Sequence, residues 1–98
     1  MVENRGALLV SDISRIIVYT LENCPNCEIL KEYLSRAGAA YDERDMMQPE
    51  ALTELRINGV FVREAPVLQI GSTFLTSREL FSQGTVREET LSPLVKGE

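Results

Sequence analysis

The sequence predicts an α/β domain built on a four-stranded mixed sheet flanked by helices, and three stretches carry that expectation. Ile16-Ile17-Val18-Tyr19 is an uninterrupted β-branched and aromatic run, the composition of a strand covered on both faces. Cys24-Pro25-Asn26-Cys27 follows it and opens a pattern with helical spacing. Val67-Leu68-Gln69-Ile70 and Thr73-Phe74-Leu75-Thr76 flank Gly71-Ser72, a pair suited to the tight primed turn of a β-hairpin.

Taken in order, residues 1–14 show mixed polarity and no sustained period. They are expected to form a partly disordered N-terminal extension, with a short strand around Leu8-Leu9-Val10, ahead of a domain at 15–98. Arg15 to Thr20 forms the central strand, and Leu21-Glu22-Asn23 the loop after it. Pro25 suits the first turn of a helix, where its missing N–H has no partner to lose. Ile29, Leu30, Tyr33, Leu34 and Ala37 make one apolar stripe, and Gly38 is placed to end that helix. Ala39 to Arg44 reads as a short second strand. Gln48-Pro49-Glu50 opens a second helix whose Ala51, Leu52 and Leu55 are buried, and Asn58-Gly59 closes it. Val60 to Glu64 is a loop with unusual apolar weight, and the hairpin follows. Ser77 caps a short helix through Leu80-Phe81, broken at Gly84, and a last helix runs from about Val86 to Val95, with Pro93 placed to shorten it. A right-handed crossover puts the first two strands in parallel, and the hairpin adds antiparallel strands on the other side.

The 98 residues, 44% of them hydrophobic, suffice for one core without covalent staples. A net charge of -5 argues against broad nucleic-acid binding, which needs clustered Lys and Arg to displace phosphate counterions. A basic protein surface is the more natural partner. The apolar run Ala7-Leu8-Leu9-Val10 is too short for a signal peptide or membrane span, so a soluble, cytoplasmic protein is expected. The chain has no histidine, which excludes His-ligated zinc and any Ser–His or Cys–His catalytic pair within it.

Cys24 and Cys27 are the only cysteines, and a bridge between them closes a loop too small to restrain an unfolded chain much. The pair therefore reads as reactive or metal-binding. A thiol in the first turn of a helix gains unpaired N–H groups and the positive end of the macrodipole, which favour its thiolate. Zinc commonly takes four ligands and one chain offers two, so a metal or iron–sulfur site would need a dimer. That arrangement, and an inactive adaptor, are the alternatives to redox chemistry.

Cys24-Pro25-Asn26-Cys27 at a strand-to-helix junction, Ala65-Pro66 before the hairpin and the order of elements from Arg15 to Val95 together resemble the thioredoxin fold, and within it the glutaredoxin-like redoxins. The resemblance implies a thiol–disulfide oxidoreductase that reduces protein or mixed disulfides. It implies that Cys24 is the nucleophile, Cys27 the resolving thiol, and Pro66 a cis-proline whose preceding backbone at Ala65 pairs with substrate. Pro25, Thr76 and Ser77 join the substrate-binding set, no cofactor is required, and the protein is expected to be a monomer. The chain departs from glutathione-using members: Leu21 stands where many have lysine, and Leu75-Thr76-Ser77-Arg78-Glu79 replaces a Gly-Gly segment. Arg63-Glu64-Ala65-Pro66 is more similar to redoxins served by thioredoxin reductase. The expected reductant is such an enzyme or a low-molecular-weight thiol.

Overall fold

Strand β1 (Ile16–Thr20) is buried along its whole length, because it has a strand on either side and helices above and below. It pairs in parallel with β2 (Asp42–Asp45) and antiparallel with β3 (Val67–Ile70), which pairs antiparallel with β4 (Thr73–Leu75). The sheet order is β2-β1-β3-β4, the predicted four-stranded mixed sheet. This computed structural model describes residues 15–96. The extension at residues 1–14, with its strand at Leu8-Leu9-Val10, lies outside them.

Successive side chains of β1 alternate between the faces of the sheet, so the uninterrupted apolar run supplies two cores. Ile16 and Val18 join Leu30, Tyr33 and Leu34 of helix α1 (Pro25–Arg36) on one face. Ile17 and Tyr19 join Ala51 and Leu55 of helix α2 (Pro49–Ile57) on the other. Leu30, Leu34 and Leu68 are fully buried, and truncating any one to alanine is worth about 2–5 kcal/mol.

Both helices end as their glycines predict. Gly38 and Gly59 adopt φ of 75° and 79°, a region cheap only for glycine. The Ala39 and Val60 N–H groups then reach back to the Leu34 and Leu55 carbonyls at 3.0 and 2.8 Å.

Two stretches correct the sequence reading. The second strand begins at Asp42 rather than Ala39, because Ala39 and Tyr41 turn inward against the α1-side core as the chain leaves the helix. What remains, Asp42 to Asp45, is a charged edge strand, a composition that discourages pairing with other chains. The segment after the main hairpin departs further. Helix α3 (Ser77–Leu80) is capped at Thr76 rather than Ser77 and stops before Phe81. A second small hairpin follows, β5 (Phe81–Ser82) and β6 (Thr85–Val86). Gln83 and Gly84 both take positive φ, 53° and 82°, as a two-residue primed turn demands. Val86 is thereby used in a strand, and the last helix, α4 (Glu88–Lys96), starts later than predicted. It continues through Pro93, which faces solvent. The Glu89 carbonyl that loses its N–H partner there belongs to an exposed residue.

No helix among the described residues is long and apolar enough to cross a membrane.

Candidate active site

The chain leaves β1 through Leu21-Glu22-Asn23, with Asn23 at φ 56°, a conformation asparagine tolerates better than most residues. Cys24 is the N-cap of α1 in an extended conformation. Its Sγ accepts the Cys27 backbone N–H at 3.1 Å, and its carbonyl accepts from Cys27 at 3.1 Å and from Glu28 at 3.3 Å. Pro25 occupies the first helical position without an N–H to satisfy. The sulfur thus sits at the positive end of a 12-residue helix.

Cys24 and Cys27 are joined as a disulfide, with Cα atoms 5.2 Å apart. They differ in access. Cys24 is half-buried, whereas Cys27 is 1% exposed. An incoming sulfur reaches the first and not the second.

The antiparallel pairing of β1 with β3 sets Tyr19 opposite Val67, so residues leaving β1 and residues entering β3 meet at the same end of the sheet. Cys24, Pro25 and Ala65 accordingly line one groove of ≈ 430 Å³. The Ala65-Pro66 peptide is cis, and Pro66 is buried beneath that surface. Ala65 makes no backbone hydrogen bond among the described residues. Ser77 does not line the groove but donates its hydroxyl to the Pro66 carbonyl at 3.3 Å. Thr76 lines a separate cleft of ≈ 380 Å³ with Arg63, Glu64 and Arg78. Its own N–H is already taken by the Glu79 carboxylate at 2.8 Å.

Tyr19 is fully buried and donates to the Gln69 side chain at 2.7 Å. Burial first, then the charge of Glu54, pushes its pKa up, which suits a structural hydroxyl rather than a proton donor near neutrality. Phe61 is exposed while Val62 is half-buried against the α2-side core.

Several residues named in the sequence only as neighbours or motif members take a place in the site. Glu22, Asn26 and Glu64 also line the Cys24 groove. Adjacency to Cys24, Cys27 and Ala65 is the signal that would have found them. Beside the site, the Lys31 Nζ lies 3.0 Å from both Glu28 and Glu43, so the charge of the glutamate in the first turn of α1 is partly offset. Hydrogen bonds to Glu28 and then Glu43 push the Lys31 pKa up. Among the described residues no group of three His, Cys, Asp or Glu side chains is placed to hold a metal ion.

The site and sheet can be set beside known proteins. Residues 16–75 match the model of the glutaredoxin family. The chain is 32% identical over 62 residues to N-acetyl-S-hydroxy-L-cysteine reductase of Bacillus subtilis (strain 168), covering 63% of this chain and 67% of that protein. The glutaredoxin-like protein NrdH-redoxin from Escherichia coli superposes with a TM-score of 0.54 at 28% identity, over 63% of this chain and 80% of the other. A buckwheat glutaredoxin in complex with glutathione gives a TM-score of 0.61 over 95% of this chain and 86% of that one; at 20% identity it speaks for the fold alone. A thioredoxin-like fold, a family match spanning the whole four-stranded sheet and a cysteine pair at the start of the first helix converge: the chain belongs to the glutaredoxin family and is a glutaredoxin-like redox protein.

Proposed function

We propose that the protein is a thiol–disulfide oxidoreductase that reduces protein or mixed disulfides through Cys24 and Cys27. The observation that carries this reading is the unequal access of the two sulfurs, one half-exposed at a helix N-cap and the other sealed behind it. In the reduced protein the Cys24 thiolate attacks a substrate disulfide, forming a mixed disulfide and releasing one substrate thiolate. Cys27 then loses its proton and attacks the Cys24 sulfur. The Cys24–Cys27 disulfide forms, the second substrate thiolate leaves, and two electrons have passed to the substrate.

Ala65 offers its N–H and C=O to the substrate backbone beside the attacked sulfur. Pro25 and Pro66 shape the surface against which the substrate lies. Ser77 acts through its bond to the Pro66 carbonyl, and Thr76 forms the wall of the neighbouring cleft. The protein acts as a monomer. Its oxidised form is returned by a thioredoxin-reductase-type enzyme or a low-molecular-weight thiol; the thioredoxin-like activity profile stated for the Escherichia coli relative supports the former.

The experiment is trapping. Reduced Cys27→Ser incubated with a peptide disulfide is expected to accumulate a covalent adduct at Cys24, seen by mass spectrometry as the added mass of one peptide half. Absence of the adduct, with Cys24 shown to be free, rules out this mechanism.

A second substrate class follows from the Bacillus subtilis relative, whose name specifies reduction of an S-hydroxy-cysteine. The same dithiol performs that reaction in balance: Cys24 displaces water from a protonated S–OH group, and Cys27 releases the small thiol. Turnover of a small sulfenic acid by the wild type, and none by Cys24→Ser, would establish it.

A further inference from the structure

The groove that carries Cys24 has carboxylates on its walls and no lysine or arginine. Glu22 and Glu64 are both exposed, and neither makes an ion pair among the described residues. Glu22 also borders an adjoining cleft of ≈ 520 Å³ with Glu28, Glu43 and Asp45. There Lys31 pairs with both Glu28 and Glu43 and offsets only one of their two charges, so with Glu22 and Asp45 the cleft stays negative. Arg63 and Arg78 line a separate cleft that shares Glu64 with this groove. The net charge of the chain, -5, adds to the same sign.

A substrate disulfide must come within bonding distance of the Cys24 sulfur, so the residues flanking it have to pass over these walls. A concave surface lined by one charge focuses its field, raising the local concentration of oppositely charged partners and repelling like ones. On the redox reading above, we propose that Glu22 and Glu64 are specificity-determining residues, selecting disulfides flanked by Lys or Arg over disulfides flanked by carboxylates. An anionic small-molecule disulfide is disfavoured by the same walls.

The test uses pre-reduced protein and three peptide disulfides of equal length, flanked by Lys, Ser or Glu. Each event oxidises the two protein thiols to one disulfide and reduces the peptide disulfide to two thiols, so no other reductant enters. The second-order rate constant for the Lys peptide is expected to exceed that for the Glu peptide by about tenfold at low ionic strength. The preference should shrink toward parity at about 1 M salt, where the screening length is only ~3 Å. The Glu22→Gln, Glu64→Gln double variant should lose most of the preference; both side chains are exposed, and the salt titration of the wild type is an independent reading that needs no variant. Equal rates for the two charged peptides, a faster Glu peptide, or a preference untouched by salt overturns the selectivity. If the Ser peptide also fails to react, the redox reading itself has failed and takes the selectivity with it; a normally reacting Ser peptide confines the failure to the charge argument.

Discussion

Helices α1 and α2 share a local grammar and differ in what they do. Each follows a strand of the main sheet, has proline in its first turn, a glutamate in that turn, an arginine in its last turn and a glycine just past its end. The difference lies at the cap. Cys24 places a sulfur on the start of α1, where it accepts the Cys27 N–H at 3.1 Å, while Gln48 makes no side-chain cap bond at the start of α2. Helix-start physics is available at both junctions, and only one of them presents an atom that the physics can make reactive. The comparison also separates stability from chemistry, since capping by itself asks only for an acceptor.

The largest expected effect breaks the chemistry at the first junction and leaves the cap. Cys24→Ser should abolish reduction of mixed disulfides, yet a serine oxygen still caps the helix, so stability of the reduced protein should change by no more than about 1 kcal/mol. A disulfide-reduction assay paired with urea unfolding measures both. Residual turnover in this variant would mean that Cys27 is reachable after all.

The second junction can be improved where the first is already satisfied. Gln48 has the extended backbone of an N-cap, so Gln48→Asp is expected to stabilise the protein by about 0.5–2 kcal/mol in urea unfolding without altering the rate of disulfide reduction. No gain would show that the α2 start is already satisfied by other partners.

The two prolines offer a matched pair. Pro25→Ala and Pro49→Ala should each cost about 0.4–1 kcal/mol, chiefly by enlarging the unfolded ensemble. Only Pro25→Ala also creates an N–H next to the Cys24 sulfur, so it alone should move the reduction potential, measured by equilibration with a thiol buffer. Equal potentials for the two variants would remove the distinction.

The smallest effect concerns Lys31, which ties the first turn of α1 to β2 through Glu28 and Glu43. Its raised pKa means the folded chain holds this proton more tightly than the unfolded one. That contribution is complete below the ordinary lysine value of 10.5 and is lost as pH rises through the raised value. Stability should fall across that window, less steeply in Lys31→Gln. Part of the slope should survive there, because burial also raises the pKa of Tyr19 and Tyr33 and acts in the same direction.

Much of this was legible in the chain. The β1 run announced a strand buried on both faces, and Pro25, Gly38, Pro49 and Gly59 marked where α1 and α2 begin and end. Gly71-Ser72 marked the main hairpin. The second hairpin escaped notice because its strands are two residues each, too short for a period, and its turn places glutamine rather than asparagine at a positive φ. The hydrogen bond from the Ser77 hydroxyl to the Pro66 carbonyl, between residues eleven apart, has no signal in the chain.

What the sequence determined by itself is whatever depends on neighbours along the chain: helix starts and stops, the two-sided strand, and a thiol at a helix N-cap. Those features follow from backbone geometry and capping, which a few consecutive residues settle. Only the tertiary structure decided that Cys27 is sealed to 1% exposure and that Glu22 and Glu64 share the groove of Cys24 and Ala65. These depend on β1 and β3 pairing in one register, with Tyr19 opposite Val67, and on α1 burying the face that carries Cys27 with Leu30, Tyr33 and Leu34 while Cys24 stays at its cap. Local composition does not encode such contacts, because they arise where segments far apart in the chain exclude water together.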